Sequence, residues 1–185
     1  MTIILKVLSG GQNGVDVAAL RASKSRGIAT GGAMPKGFRT LDGPKPEWAR
    51  EFGLEEHASD KYPPRTYKNV KDADITIRIA ADFTSAGEVC TMNAIMHYGR
   101  PHCNVPAWTG EANRAMRVAR TFGRYSAWDD HIRAASDEIR EVAAALGRPV
   151  VVNFAGNSEK TAPGIEAFAE GVVGMILDAV GSHGS

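Results

Sequence analysis

Two carboxylates close two short glycine-bearing runs: Asp16 ends Ser9-Gly10-Gly11-Gln12-Asn13-Gly14-Val15-Asp16, and Glu88 ends Thr84-Ser85-Ala86-Gly87-Glu88. A third run, Gly156-Asn157-Ser158, leads into Glu159. Runs of this kind between a strand and a helix aim free backbone N–H groups and the positive end of a helix dipole at one point, which suits a phosphate. Gly10 and Gly11 permit positive φ and close approach to a ligand, and Gly14 permits tight helix–strand packing. Ser9, Gln12 and Asn13 add side-chain hydrogen bonds to a phosphate or base, although plain turn chemistry explains Asn13 equally well. Asp16 suits a ribose hydroxyl or, just as simply, the helix dipole. Glu88 is either an acid at a helix N-terminus or a general acid/base. Gly31-Gly32 reads as a further turn after a short strand. Lys36 offers a point charge for phosphate, with a solvated lysine as the plain alternative. Arg65 carries a fork for phosphate or carboxylate, and an ion pair with Asp72 or Asp74 serves it nearly as well. The five histidines share no spacing and the two cysteines form no CxxC, so no protein-bound metal is expected.

These residues need elements to hold them, and the chain supplies strand and helix in alternation. Residues 3–8 form an apolar strand. Val15, Ala18, Ala19 and Ala22 mark one face of a helix that stops at Gly27. Residues 28–30 are a short strand. The stretch 33–68, rich in proline and poor in periodicity, reads as a long ordered functional loop anchored by Trp48, Phe52, Tyr62 and Tyr67. In residues 74–80, Ile75, Ile77 and Ile79 alternate with Thr76 and Arg78. A helix over 88–98 follows, with Val89, Met92, Ile95 and Met96 as its buried stripe, and Gly99 and Pro101 end it. Residues 102–105 are a strand.

Residues 108–146 are helical in two pieces. The first buries Ala112, Ala115, Met116 and Ala119 and turns Arg114, Arg117, Arg120 and Arg124 outward, a solvated face or a site for an anionic partner. The second opens on the capping box Ser126-Ala127-Trp128-Asp129 and carries Ile132, Ala135, Ile139, Val142, Ala143 and Leu146 at helical spacing. Residues 149–154 are a buried strand, 155–162 a polar loop, and Pro163 fits the first turn of a last helix whose core face includes Ile165, Phe168, Val172 and Ile176.

The alternation implies α/β architecture: a Rossmann-like three-layer α/β/α domain with a mainly parallel sheet, plus the helical elaboration over 108–146. At 185 residues one domain is expected. Ligands of such folds lie beyond the C-terminal strand ends. The loops 9–15, 31–37, 82–88 and 155–164 should therefore converge on one cleft. A net charge of +1 gives no bias toward nucleic acid or membrane. The N-terminus shows no signal-peptide pattern and no apolar run reaches membrane-spanning length, so a cytoplasmic protein with reduced core cysteines is expected.

Five blocks occur in order: Ser9-Gly10-Gly11-Gln12-x-Gly14-Val15-Asp16; Thr30-Gly31-Gly32; Pro35-Lys36-Gly37; Arg65-Thr66-x-x-Asn69-Val70-x-Asp72-x-Asp74; and Asn153-x-Ala155-Gly156-x-Ser158-Glu159-x-x-Ala162-Pro163-Gly164-Ile165. Together they resemble the molybdenum-cofactor carrier family. That family sits in the circularly permuted YpsA branch of the SLOG Rossmann-like superfamily, which also holds the LOG-type phosphoribohydrolases. The resemblance covers the chain to Val105 and again from Pro149. It implies a nucleotide-like or cofactor phosphate over the glycine turns, with molybdenum cofactor or a nucleotide as the bound molecule, and a homo-oligomer, dimer or tetramer. This chain departs from it at Gly87-Glu88, where relatives carry Gly-Thr, and in the length of residues 108–146.

Three functions fit. One is a carrier or binding protein for a phosphorylated nucleotide-like ligand. Another is a hydrolase of N-glycosidic bonds using Glu88 or Asp16; the PGGxGTxxE run of the phosphoribohydrolases is missing. The third is a sensor or sequestering protein for a signalling nucleotide such as an ADP-ribose derivative.

Overall fold

The computed structural model describes residues 2–107 and 127–181. The first helical piece of 108–126, its four arginines and the opening of the capping box at Ser126 lie outside the described residues, as does the tail beyond Gly181.

Six strands form one sheet: β1 (Ile4–Leu8), β2 (Ala29–Met34), β5 (Leu54–Glu56), β6 (Ile75–Ala80), β7 (His102–Pro106) and β8 (Val150–Gly156). Their order is β5-β2-β1-β8-β6-β7, and every pairing is parallel. Two further strands, β3 (Arg39–Thr40) and β4 (Gly43–Pro44), make a small antiparallel hairpin beside the sheet. The helices are α1 (Val15–Lys24), α2 (Glu47–Phe52), α3 (Tyr62–Asp72), α4 (Ala86–Tyr98), α5 (Ala127–Leu146) and α6 (Ile165–Gly181). Helices α1, α5 and α6 cover one face, while α3 and α4 cover the other, which makes the three-layer Rossmann-like fold.

The first face is built as an apolar core. Ile75, Ile77 and Ile79 of β6 and Val150, Val152 and Phe154 of β8 are buried against Ala18, Ala19, Ile139, Phe168 and Val173. Parallel strands covered on both sides lose all contact with water, and all six residues of β6 are buried.

Residues 33–68 differ from the single loop expected of them. They hold β3, β4, α2, β5 and most of α3. Pro63 and Pro64 sit in the first turn of α3, where a missing N–H costs no intrahelical bond, so these prolines start a helix instead of marking a loop. Trp48 and Phe52 do act as anchors, packing with Val17, Leu20, Met34 and Leu54 in a second apolar cluster.

Three other expectations change. Gly31 and Gly32 lie inside β2, because a Cβ on Gly32 would stand 2.0 Å from the carbonyl oxygen of Ser9. The strand needs glycine to let the neighbouring chain past. On α4 the buried face is Glu88, Thr91, Ala94 and Ile95, whereas Val89 is 46% and Met96 71% exposed. The helix turns its polar residues inward because the sheet face beneath it is polar. Pro163 falls in the turn just before α6 and not within it.

Candidate functional site

Strand β1 feeds α1 and β2 toward one edge of the sheet, and β6 feeds α4 and β7 toward the other, with β8 between them. Beyond the C-terminal ends of β1, β8 and β6, and between α3 and α4, lies a cleft of about 380 Å³. Of the residues singled out from sequence, Gly10, Gln12, Asp16, Arg65, Ser85, Gly87, Gly156, Asn157 and Ser158 border it. Ser9, Gly11, Asn13, Gly14, Gly31, Gly32, Lys36, Thr84 and Glu88 do not.

The glycine turn after β1 is mostly occupied by the protein itself. Ser9 Oγ donates to the carbonyl of Phe154 at 2.7 Å and ties β1 to β8. Gly14 has φ 115° and donates its N–H to Glu166 Oε2, and Val15 donates to the carbonyl of Asn157. The N–H of Gln12 donates to Asp16 Oδ2, and the Gln12 side chain holds the hairpin through Arg39 and Leu41. Asn13 reaches Asp42. Gly11, at φ 68°, faces Met34 and Leu54, away from the cleft. Glu159 likewise accepts the N–H groups of Gly164 and Glu166 at the start of α6. Carboxylates thus take N–H groups of the first expected anion turn, while at the third the N–H groups of Asn157 and Glu159 go to the carbonyls of Ile79 and Asn13.

The start of α4 is different. Ser85 is its N-cap and makes no side-chain capping bond to the helix, and the first helical bond runs from Val89 N to Ser85 O. The N–H groups of the first turn, Ala86, Gly87 and Glu88, have no intrahelical acceptor. Ala86 and Gly87 border the cleft, and beyond Gly87 a Cβ would meet open space.

Asn157 fixes that loop. Its Oδ1 accepts from the N–H groups of Ala81 and Asp82, and its Nδ2 donates to Asp82 O and Ser85 Oγ. All four hydrogen-bonding capacities of the amide are used, so Asn157 positions the turn and has none left for a ligand. Thr84 is bonded to Asp82.

Arg65 pairs with Asp16, not with Asp72 or Asp74. Its Nη1 lies 3.3 Å from Asp16 Oδ2. Asp72 binds Lys68 and Asp74 binds Arg148. Gly10 is what lets the guanidinium pass, since a Cβ there would stand 1.4 Å from Arg65 Nη1. Among the described residues Arg65 Nε is buried with no hydrogen-bond partner and Nη2 makes no hydrogen bond, while the guanidinium lies 5.8 Å from the Tyr62 ring centroid. Burial pushes the Asp16 carboxyl above its ordinary range, against the pull of Arg65 and the Gln12 N–H. Lys36 is exposed and away from the cleft.

Glu88 lies under α4, 1% exposed, in an ion pair with Arg78, itself 4% exposed. Arg78 Nε and Nη2 lie 3.0 and 2.9 Å from Glu88 Oε2, and Nη1 donates to Asn104 Oδ1. Burial outweighs the guanidinium and raises Glu88 to about 7, with the charges of Asp16 and Asp82 adding to the rise. Its carboxylate is therefore a structural partner of β6. Arg78 does not border the cleft; it lies on the face of β6 opposite Ile77, and its guanidinium is taken up by Glu88 and Asn104.

Cys90, expected in the core, is half-buried and borders the cleft, and burial raises its thiol above the usual range against the nearby Arg65. Among the described residues no group of three His, Cys, Asp or Glu side chains could hold a metal ion. Nor is any described helix long and apolar enough to cross a membrane.

A parallel sheet with helices on both faces and a cleft at its switch point defines the chain as a Rossmann-like ligand-binding domain. Residues 7–128 match the model of the circularly permutated YpsA SLOG family, and the chain belongs to that family. It is similar to a crystal structure from Syntrophus aciditrophicus SB described as a "Putative molybdenum carrier protein", with a TM-score of 0.70 and 27% identity over 97% of this chain and 96% of that one. No curated protein matches.

Proposed function

We propose that this chain is a carrier or binding protein for a phosphorylated, nucleotide-like small molecule whose phosphate rests on the N-terminus of α4. The observation that carries the reading is the pair of first-turn N–H groups of Ala86 and Gly87, which border the same cleft as Arg65, whose Nη2 has no hydrogen bond among the described residues. Backbone amides, a helix dipole and a guanidinium fork supply charge and direction for a phosphate. Molybdenum cofactor is one molecule of this kind, as the name of the structural neighbour suggests, and a mononucleotide is another. Assembly into homo-oligomers belongs to the same proposal. The hydrolase reading has less support, because Glu88 is bonded to Arg78 and does not border the cleft, and Asp16, which does, is tied to Arg65 and the Gln12 N–H.

Mass spectrometry of small molecules released from natively purified protein, with molybdenum measured in the same sample, tests the proposal. A phosphorylated heterocyclic compound is expected, and Arg65→Ala is expected to lower its occupancy about tenfold or more. No released compound, together with no thermal stabilisation by any phosphorylated probe at millimolar concentration, would overturn the proposal.

A further inference from the structure

The cleft has a second, deeper end of different chemistry. One helical turn inward from Arg65 on α3 stands Asn69, and one turn inward from Gly87 on α4 stands Thr91. Between them, on the sheet floor, lies Asn153 of β8, three residues before Gly156. All three are buried and all three border the cleft. Helical and strand rises place this inner end about 6–10 Å from the outer one.

Three buried asparagines surround the cleft, and they differ in how many of their bonds the protein satisfies. Asn157 makes four. Asn69 makes two, clamping the N–H and the carbonyl of Ala33 in β2. Asn153, 2% exposed, makes one, from Nδ2 to Thr76 Oγ1 at 3.3 Å. Its Oδ1 accepts no hydrogen bond among the described residues and is not one of their sealed orphan atoms, and Asn153 borders the cleft. A buried amide left this way holds an acceptor and one remaining N–H side by side.

The inner end does not suit a second phosphate. Arg65, at the outer end, is the one cationic side chain lining the cleft among the described residues, and the Asp16 carboxyl lies beside it. Arg78 is turned to Glu88 and Asn104. An uncharged group with adjacent donor and acceptor atoms matches what Asn153 presents. Ala155, one strand position beyond the neighbouring residue, leaves the floor low enough for a flat ring.

We propose that Asn153 is the specificity-determining residue of this cleft. It reads the hydrogen-bonding edge of a planar heterocycle, a nucleobase or pterin, that enters ring-first and leaves its phosphate at α4. The inference rests on the function proposed above, and it assigns the ring end of a ligand whose phosphate end that proposal places.

Titration calorimetry with ribose 5-phosphate, AMP, GMP and neopterin monophosphate tests it on the wild type, Asn153→Leu and Asn153→Ser. The best ring-bearing probe should bind the wild type at least about tenfold tighter than ribose 5-phosphate. Both variants should lose that preference, weakening the ring-bearing probe about 10–100-fold while changing ribose 5-phosphate less than about threefold. Retention of the preference in either variant that keeps the wild-type melting temperature overturns the assignment of Asn153, as does a wild type that binds ribose 5-phosphate equally well. A wild type that binds none of the four probes overturns the phosphate reading as well, which separates the two failures.

Discussion

On one side of β6, Ile75, Ile77 and Ile79 pack among the side chains of α1, α5 and α6; on the other side of the same strand, Thr76 and Arg78 face α3 and α4. Strand β8 repeats the contrast, with Val150, Val152 and Phe154 on the first face and Asn153 on the second. Both faces are buried, but they are held by different forces. Apolar packing is non-directional and tolerates exchange of shape for shape. The polar face holds only if each group finds its partner, and where α3 and α4 diverge it leaves a few groups free. Stability is concentrated on the first face. The candidate site occupies the second, since free hydrogen-bonding groups are what a ligand can use.

Phe154→Ala should have the largest effect on this contrast, about 4 kcal/mol lost in urea unfolding, because a fully buried ring leaves a cavity in the main core. A loss under about 1 kcal/mol would show that the apolar face does not carry the stability. Arg78→Met follows, with an expected cost of about 3 kcal/mol at pH 8, where it strands the Glu88 carboxylate. Adding Glu88→Leu should recover most of that cost. If the double variant recovers nothing, the ion pair is not what the polar face depends on.

The pH dependence of Glu88 is smaller per unit of pH. Its folded value of about 7 lies above the ordinary carboxyl value of 4.5, so its favourable contribution is complete below pH 4.5 and is lost as pH rises through 7. Glu88→Gln cannot titrate. Measured by denaturant unfolding between pH 4.5 and 8, the stability of wild type relative to this variant should fall with rising pH, by at most about 1.4 kcal/mol per unit. A difference that stays flat would place the Glu88 carboxyl in its ordinary range. The smallest effect belongs to Met96→Gln on the outward face of α4, within about 0.5 kcal/mol. A larger loss that depends on protein concentration would reveal a second copy covering that face.

Much of the fold could be read locally. The alternation of Ile75, Ile77 and Ile79 with Thr76 and Arg78 marks a strand with two unlike faces, and the apolar spacing of Val15, Ala18, Ala19 and Ala22 marks the face of α1. Periodicity is a property of neighbours in the chain, so the sequence by itself determined the order of strands and helices outside residues 33–68 and the family blocks. Prolines in the first turn of α3 defeated the same reading, because a proline looks alike in a loop and at a helix start. Of the site, the glycine runs and Arg65 were visible, but their duties were not.

Tertiary structure alone decided that Arg65 meets Asp16, 49 residues away, across a glycine that makes room for it. It also decided that Glu88 turns to Arg78, that Asn157 has no bond to offer while Asn153 does, and that Asp16 and Glu166 take N–H groups of the first glycine turn while backbone carbonyls take those at the third. Which charges and amides pair depends on distances of a few ångströms between segments remote in the chain. No local pattern encodes those distances; the packing of α3 and α4 on the sheet creates them.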